Sequence, residues 1–147
     1  MRITRTRDLS VINAVFKHPK YIDMLGDDGS ENVEYPLLDS IYYLAVYDGV
    51  ELAGLFMMVP QNAITIDTHG AFLPGFRGEK ARTGGLLMPS WVAKNTQFKK
   101  LVACIPSFNK AALAYASKLG YELEGVNRAS FVKDGVVYNQ CYYGREV

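Results

Sequence analysis

Apolar residues that recur every three or four positions predict the helices of this chain. The first covers Leu9 to Phe16, with Asp8 placed to cap its N-terminus. Around Pro89, two preceding glycines and the proline ring predict a helix that is kinked or restarts. The other predicted helices are the short stretch 20–25 and the segment 109–119, which is ended by Gly120.

Runs of β-branched and aromatic residues predict the strands. Two Asp-Gly pairs, Asp48-Gly49 and Asp134-Gly135, each lie between such runs, and this is a strong short-range signal for a hairpin. The predicted strands that do not belong to the second hairpin are 41–47, 50–59, 63–73 and the short apolar run 101–105.

A helix separates strand 63–73 from strand 101–105, so we expect these two strands to lie parallel in one sheet. The hairpins make the rest of the sheet antiparallel. The order of elements therefore predicts an α+β fold with a mixed, mostly antiparallel central sheet and flanking helices.

Length and charge narrow the function classes. The 147 residues are enough for one domain, so we expect a single domain over 1–147. A net charge of +1 gives no basic field for nucleic acid. No apolar run approaches the roughly 20 residues of a membrane span, and the N-terminus lacks the apolar core of a signal peptide. We expect a cytoplasmic protein that binds neither nucleic acid nor membrane.

The two cysteines, Cys104 and Cys141, lie inside apolar runs without the spacing of a metal site. We interpret them as free thiols of a reducing compartment and predict no bound metal. A nucleophilic role is disfavoured because neither has an activating partner nearby in sequence.

The segment that follows strand 63–73 is the most informative for chemistry. It ends the strand, turns through Gly75 and Gly78, and opens a helix, where unpaired backbone N–H groups can bind phosphate. Arg77, Lys80 and Arg82 add positive charge. A solvated basic turn is the alternative interpretation.

The segments PGFRGEKA, LVACIPSFNKAALAYASKLGYELEG and NRASFVKDGVVYNQCYYG, in this order, resemble the GNAT superfamily of acyl-CoA-dependent N-acyltransferases. The endings KLGYELEG and DGVVY resemble the branch that acetylates ribosomal-protein N-termini, and related phage-encoded proteins. The resemblance implies a sheet of about six to seven strands. It also implies an acyl-CoA-binding core over 41–147 and a helical acceptor-side region over 1–40.

The resemblance places the pyrophosphate loop of the family on residues 77–82, where only Arg77 fits the consensus. Lys80 and Arg82 replace small residues, which leaves open whether the loop still binds CoA. Ala116 stands where many members carry a tyrosine acid, and Tyr115, one position away, should point elsewhere. Contacts with acetyl-CoA are expected from Phe72, Leu73, Arg77, Gly78, Lys80, Ala81 and Asn109.

Asp67 and His69 lie two residues apart on one strand, hence on one face of the sheet. Acetylation of an amine requires loss of a proton from an ammonium group, and either side chain can accept it. Both are therefore predicted as catalytic candidates. Polar residues of a half-buried strand, without a catalytic role, are the alternative.

Residues 23–39 carry six acids and no Lys or Arg. The resemblance places this stretch at the acceptor entrance, where a negative rim would attract a cationic amine, but a solvated loop is the preferred interpretation. The sequence therefore predicts an acetyl-CoA-dependent N-acetyltransferase that acts on a protein N-terminus, a lysine or a small cationic amine in a ternary complex. The alternative is a catalytically inactive binding or structural module, and the oligomeric state, a homodimer included, stays open.

Overall fold

The computed structural model describes residues 1–21, 27–30 and 32–147. The predicted helix over 20–25 falls mostly outside these residues. In chain order the elements are β1 (Arg2–Thr6), α1 (Leu9–Phe16), β2 (Tyr42–Asp48), β3 (Glu51–Pro60), β4 (Thr65–Phe72), α2 (Glu79–Gly85), α3 (Leu87–Asn95), β5 (Lys100–Pro106), α4 (Lys110–Lys118), β6 (Glu122–Lys133) and β7 (Val136–Glu146).

The strands form one seven-stranded sheet in the order β1-β2-β3-β4-β5-β7-β6. Strand β1 at one edge is absent from the sequence prediction, which gave only helices to residues 1–40. Its sequence RITRT carries a single large apolar residue, Ile3, so no hydrophobic pattern marks it. Both Asp-Gly hairpins and the N-cap of α1, where Asp8 accepts from the Ser10 amide, are confirmed.

Strands β4 and β5 lie parallel, as predicted. They pair only over Thr65–Asp67 and Lys100–Val102, although both strands continue well beyond this point. Strand β5 pairs along its whole length with β7 on its other side. The sheet therefore opens between β4 and β5 after Asp67.

Each face of the sheet carries its own core. Alternate residues of the central strands pack against α1 on one face, and the intervening residues pack against α2, α3 and α4 on the other. Phe16 and Ala71 belong to the α1 face, whereas Phe72, Met88 and Leu119 belong to the opposite face. Successive residues of β4 therefore point to opposite sides of the opening.

The interruption predicted near Pro89 is a restart of the helix. Helix α2 ends at Gly85, and α3 begins at Leu87, so Pro89 lies in the first turn of α3, where its missing N–H costs no hydrogen bond. Gly85 has a second role, because a Cβ there would collide with the Tyr115 hydroxyl of α4. In the described parts of the chain no helix is long and apolar enough to cross a membrane.

Candidate active site

A cavity of about 370 Å³ passes through the opening between β4 and β5. The strands contribute Thr68, His69 and Gly70 from β4 and a run from Ala103 onward from β5. Its α4 side is formed by Met88, Asn109, Ala112, Tyr115, Ala116 and Leu119, and its α1 side by Phe16, Tyr21, Asp27, Ser30, Val33 and Tyr35. One cavity is therefore accessible to groups on both faces of the sheet.

Backbone groups of β4 line the opening. The N–H of Leu73 donates to the carbonyl oxygen of Ala53 on β3, over 2.9 Å. Because backbone groups alternate in direction along a strand, those of Gly70 and Phe72 point the other way, toward β5. They lie beyond the last β4–β5 pair, so β5 does not pair with them. The Leu73 amide, predicted as a cofactor contact, is already used within the sheet.

Gly70 was missed by the sequence analysis, although a glycine inside a strand often marks a close approach. A Cβ at this position would collide with the ring of Phe56 on the neighbouring strand. The Phe56 ring also lines the cavity. Gly70 thus leaves room for the ring and for a ligand group beside the strand.

The two predicted catalytic residues lie together on the α1 face. His69 Nε2 is 3.2 Å from Asp67 Oδ2, and the His69 side chain is 42% exposed whereas that of Asp67 is 24% exposed. His69 lines the cavity and Asp67 lies behind it. The second oxygen of Asp67, Oδ1, is buried with no hydrogen-bond partner among the described residues.

The contact between the two side chains involves one imidazole nitrogen, Nε2. In the neutral ring, a proton on Nε2 is donated to the carboxylate of Asp67, and Nδ1 then carries the free lone pair. Asp67 therefore contacts the ring of His69 at Nε2 and leaves Nδ1 free of that contact.

The turn between β4 and α2 is open to solvent, as a phosphate loop requires. Gly75 and Gly78 have φ values of 93° and 69°, which favour glycine, and a Cβ at either position would meet no atom within 4 Å. No side chain caps α2 at Gly78. Arg77 is exposed and belongs to none of the ion pairs that the described residues form.

Lys80 and Arg82, the two cations that depart from the family consensus, each form an ion pair with an acidic side chain. Lys80 Nζ lies 3.1 Å from Asp48 Oδ2, at the end of β2, and 5.2 Å from the centre of the Phe76 ring. Arg82 Nη1 lies 2.8 Å from Glu79 Oε1 one turn earlier in α2. Their charges are compensated locally, and their side chains have partners other than a phosphate.

Helix α4 begins at the cavity. Asn109 is its N-cap, since its side-chain oxygen accepts from the Ala112 amide over 3.1 Å, and its side-chain N–H₂ group stays available. Ala116 lines the cavity without a polar group. Tyr115, expected to point elsewhere, also lines it, and its hydroxyl donates to the carbonyl of Ala81 over 2.8 Å. Burial raises the pKa of Tyr115.

The remaining polar side chains of the opening are structural. Thr68 donates to the carbonyl of Val102, and its oxygen lies 3.0 Å from the Tyr121 hydroxyl. Burial is the main cause that raises the pKa of Tyr121 to about 12. Burial also raises the pKa of Cys104, a half-buried free thiol of the cavity wall, which disfavours a thiolate nucleophile. No group of His, Cys, Asp and Glu in the described parts of the chain could hold a metal ion.

The acidic stretch 23–39 does not form one rim. Asp28 binds the tip of the β6–β7 hairpin, where its carboxylate accepts from the amides of Asp134 and Gly135 over 2.9 and 3.0 Å. Asp39 forms an ion pair with Arg7. Asp27 is the one acid of the stretch that lines the cavity among residues that the structure describes, since Asp23 and Glu31 fall outside them.

The structure thus brings only two of the predicted site residues, His69 and Asn109, to the cavity wall. Asp67 lies directly behind His69. The others follow along the end of β4, the turn and the start of α2, which adjoin the cavity; they are Phe72, Leu73, Arg77, Gly78, Lys80 and Ala81.

Similar solved structures share this arrangement of elements. A chimera of the spermidine N-acetyltransferase SpeG from Vibrio cholerae and hSSAT covers 99% of this chain and 96% of its own, with a TM-score of 0.78 and 16% identity. SpeG from Vibrio cholerae in complex with CoA and spermine covers 74% and 66%, with a TM-score of 0.66 and 15% identity. RimL, a ribosomal-protein alpha-N-acetyltransferase in complex with coenzyme A, covers 74% and 63%, with a TM-score of 0.64 and 17% identity. The predicted GNAT-like fold is confirmed.

A phage protein and a family model match the sequence of this chain. Protein p31 of Acyrthosiphon pisum secondary endosymbiont phage 1 is 32% identical over 75 residues, which are 51% of this chain and 48% of p31. The match thus spans about half the length of that relative. A family model described as a protein of unknown function, DUF2824, matches residues 3–143.

Proposed function

The chain belongs to the family of unknown function DUF2824, and we propose that it transfers an acetyl group from acetyl-CoA to an amine in a ternary complex. The proposal rests on one observation, the cavity that passes through the sheet between β4 and β5. Direct transfer needs two substrates that meet within bonding distance while each is held by its own surface. A cavity with one wall on each face of the sheet meets that need.

In this proposal acetyl-CoA lies on the α4 side and supplies the thioester carbonyl that the amine attacks. The Gly70 and Phe72 backbone groups would hold its arm and polarise the carbonyl. The open turn with Arg77 and Gly78, together with the Asn109 amide, would hold its phosphates. CoA-bound structures of SpeG and RimL, which share the fold, support this choice of co-substrate.

His69 is the proposed base. Nδ1 of His69 takes a proton from the ammonium group of the acceptor, which frees the nitrogen lone pair for attack, while Asp67 holds the ring through Nε2. Residues 1–40, with α1 and the acids after it, would supply the acceptor side, and residues 41–147 the acyl-CoA core.

The departing sulfur needs no acid from the protein. Ala116 has no proton to give, and the Tyr115 hydroxyl is committed to the Ala81 carbonyl. A thiol with an ordinary pKa of about 8.5 leaves readily as a thiolate near neutral pH. The absence of a tyrosine at position 116 is therefore compatible with transfer.

Calorimetric titration of acetyl-CoA and CoA into the protein tests the first half of the proposal. We expect micromolar binding that Arg77→Glu weakens at least about tenfold, since a charge-assisted contact to phosphate becomes a repulsion. Lys17→Glu, the same charge change at the end of α1, should leave binding unchanged. Saturation absent at millimolar CoA would overturn the proposal.

A second candidate is a GNAT-like binding or structural module without catalysis. It is favoured by Lys80 and Arg82, which replace the small residues of the consensus loop, and by the phage relative. In that case neither CoA nor acetyl-CoA would raise the melting temperature. Binding of CoA with no acetylated product from any amine would also favour this candidate.

A further inference from the structure

The α1 side of the cavity is apolar and aromatic. Its ring cluster consists of Phe16, Tyr21 and Tyr35, with ring centres 5.6 Å apart for Phe16 and Tyr21 and 5.1 Å apart for Phe16 and Tyr35. Val33 extends the same wall. Burial raises the pKa of both tyrosines, as expected for hydroxyls that are largely shielded from water. This wall suits a hydrophobic group.

Negative charge on the same side is sparse. Asp27 is the single acid that lines the cavity in the described chain, and no lysine or arginine lines it there. Of the other described acids of the stretch, Asp28 and Asp39 are bound to the β6–β7 turn and to Arg7, and Glu34 is exposed and does not line the cavity. Among the described residues of this wall, Asp27 is a partner for one ammonium group, and the aromatic rings offer a second positive charge no comparable carboxylate.

Resting on the proposed function, we propose that the acceptor is a monoamine, a single primary ammonium group carried on an apolar and preferably aromatic body. The aromatic wall would bury the body, Asp27 would attract the charge, and His69 would face the nitrogen. This chemistry fits both a small arylalkylamine and a peptide N-terminus with an apolar first residue. Linear polyamines, which carry several charges and no aromatic body, fit this wall less well, in contrast to the spermidine enzymes that share the fold.

The test compares kcat/KM for 2-phenylethylamine, ethanolamine and spermidine at saturating acetyl-CoA. We expect 2-phenylethylamine to exceed each of the other two at least about tenfold, since burial of a phenyl group contributes about that factor or more. A peptide that begins with phenylalanine, compared with one that begins with glycine, distinguishes the two sources of the amine. If the phenylalanine peptide is far better than 2-phenylethylamine, the natural acceptor is a protein N-terminus.

A negative charge added to the α1 side of the cavity should shift the preference from 2-phenylethylamine toward spermidine. Val33 is 45% exposed, so Val33→Asp should fold, and it should raise kcat/KM for spermidine while it lowers that for 2-phenylethylamine. Val50→Asp makes the same change at a position that is 94% exposed in the β2–β3 turn. That control should leave the ratio of the two rates unaltered.

Two outcomes would overturn this inference while the proposed function stands. One is a protein that binds acetyl-CoA and acetylates spermidine at least as well as 2-phenylethylamine. The other is a Val33→Asp variant with an unchanged ratio of the two rates. Failure of the proposed function itself would be recognised separately, as an absence of CoA binding in the calorimeter.

Discussion

The two sides of the cavity differ in whether backbone atoms or side chains form them. On the α4 side, most of the groups proposed to hold the cofactor are backbone atoms of β4 and of the turn before α2, placed by the register of the sheet. On the α1 side, the wall consists of side chains from α1 and from the chain that follows it. Backbone geometry survives sequence change far better than a set of side chains does. We therefore expect substitutions to alter the α1 side more readily than the α4 side.

Among the tests of this contrast, the largest effect is expected for His69→Ala. Loss of the base should lower kcat/KM for the amine about 100- to 10,000-fold, while the Kd for acetyl-CoA, measured by calorimetry, stays the same. His18→Ala, which removes the other histidine of the chain, is the matched control and should keep full activity. A weakened Kd for acetyl-CoA in His69→Ala would show that the two sides are not separable.

Gly70→Ala tests the α4 side. The added methyl group collides with the Phe56 ring, and we expect a loss of about 1–3 kcal/mol in the free energy of unfolding, together with weaker acetyl-CoA binding. Denaturant unfolding and calorimetry measure the two effects. Phe56→Leu in the same chain should restore part of the stability.

Gly125→Ala is the matched control for that substitution. A Cβ at Gly125 meets no atom within 4 Å, so its stability should stay within about 0.5 kcal/mol of the wild type. An equal loss in both alanine variants would mean that Gly70 is required for its backbone freedom and not for the space beside Phe56.

Asp28→Ala tests the attachment of the acceptor-side chain to the β6–β7 hairpin. Loss of two hydrogen bonds to a carboxylate should raise KM for the amine roughly tenfold and leave acetyl-CoA binding unchanged. Asp27→Ala, at the neighbouring residue, should lower amine affinity without faster hydrogen exchange at the Asp134 and Gly135 amides. Exchange that stays slow at these amides in Asp28→Ala would contradict the attachment.

The same attachment has a defined pH dependence. The amides of Gly135 and Asp134 hold the pKa of Asp28 below its ordinary value of 3.8. A lowered pKa in the folded state means that the stabilisation is present above pH 3.8 and is lost as the pH falls through the lowered value. Amide exchange at the hairpin tip should therefore accelerate only in acid.

The smallest effect is expected for Asp8→Ala. This substitution removes the N-cap of α1, which lies at the end of the helix away from the cavity residue Phe16. The free energy of unfolding should fall slightly, because the Ser10 amide loses its acceptor, with unchanged kcat and KM. Thermal unfolding and steady-state rates measure the two. A changed KM would show that the start of α1 is coupled to the ring of Phe16 at its end.

Sequence patterns identified the central strands, both hairpins and α4 because each has strong local signals such as Asp-Gly turns and a terminal glycine. Strand β1 has no such signal, since its partner β2 and not its own sequence makes it a strand. Likewise, the six acids of 23–39 are adjacent in sequence, yet Asp28 and Asp39 bind groups more than 30 positions away.

Spacing alone correctly placed some of the candidate residues in the fold. Asp67 and His69 had to share a face of the strand, and Asn109 had to open a helix. The role of Gly70 depends on where the β4–β5 pairing stops, and that is a property of two strands 30 or more residues apart. The partners of Lys80 and Arg82 likewise depend on tertiary placement.

The passage through the sheet has a kinetic consequence. Because the two walls of the cavity lie on opposite faces, neither substrate has to cross the position of the other in order to enter. A transferase built in this way should bind its substrates in random order, and its initial velocities should give intersecting double-reciprocal lines. Product release would follow the same logic, with each product leaving on the face by which its precursor arrived.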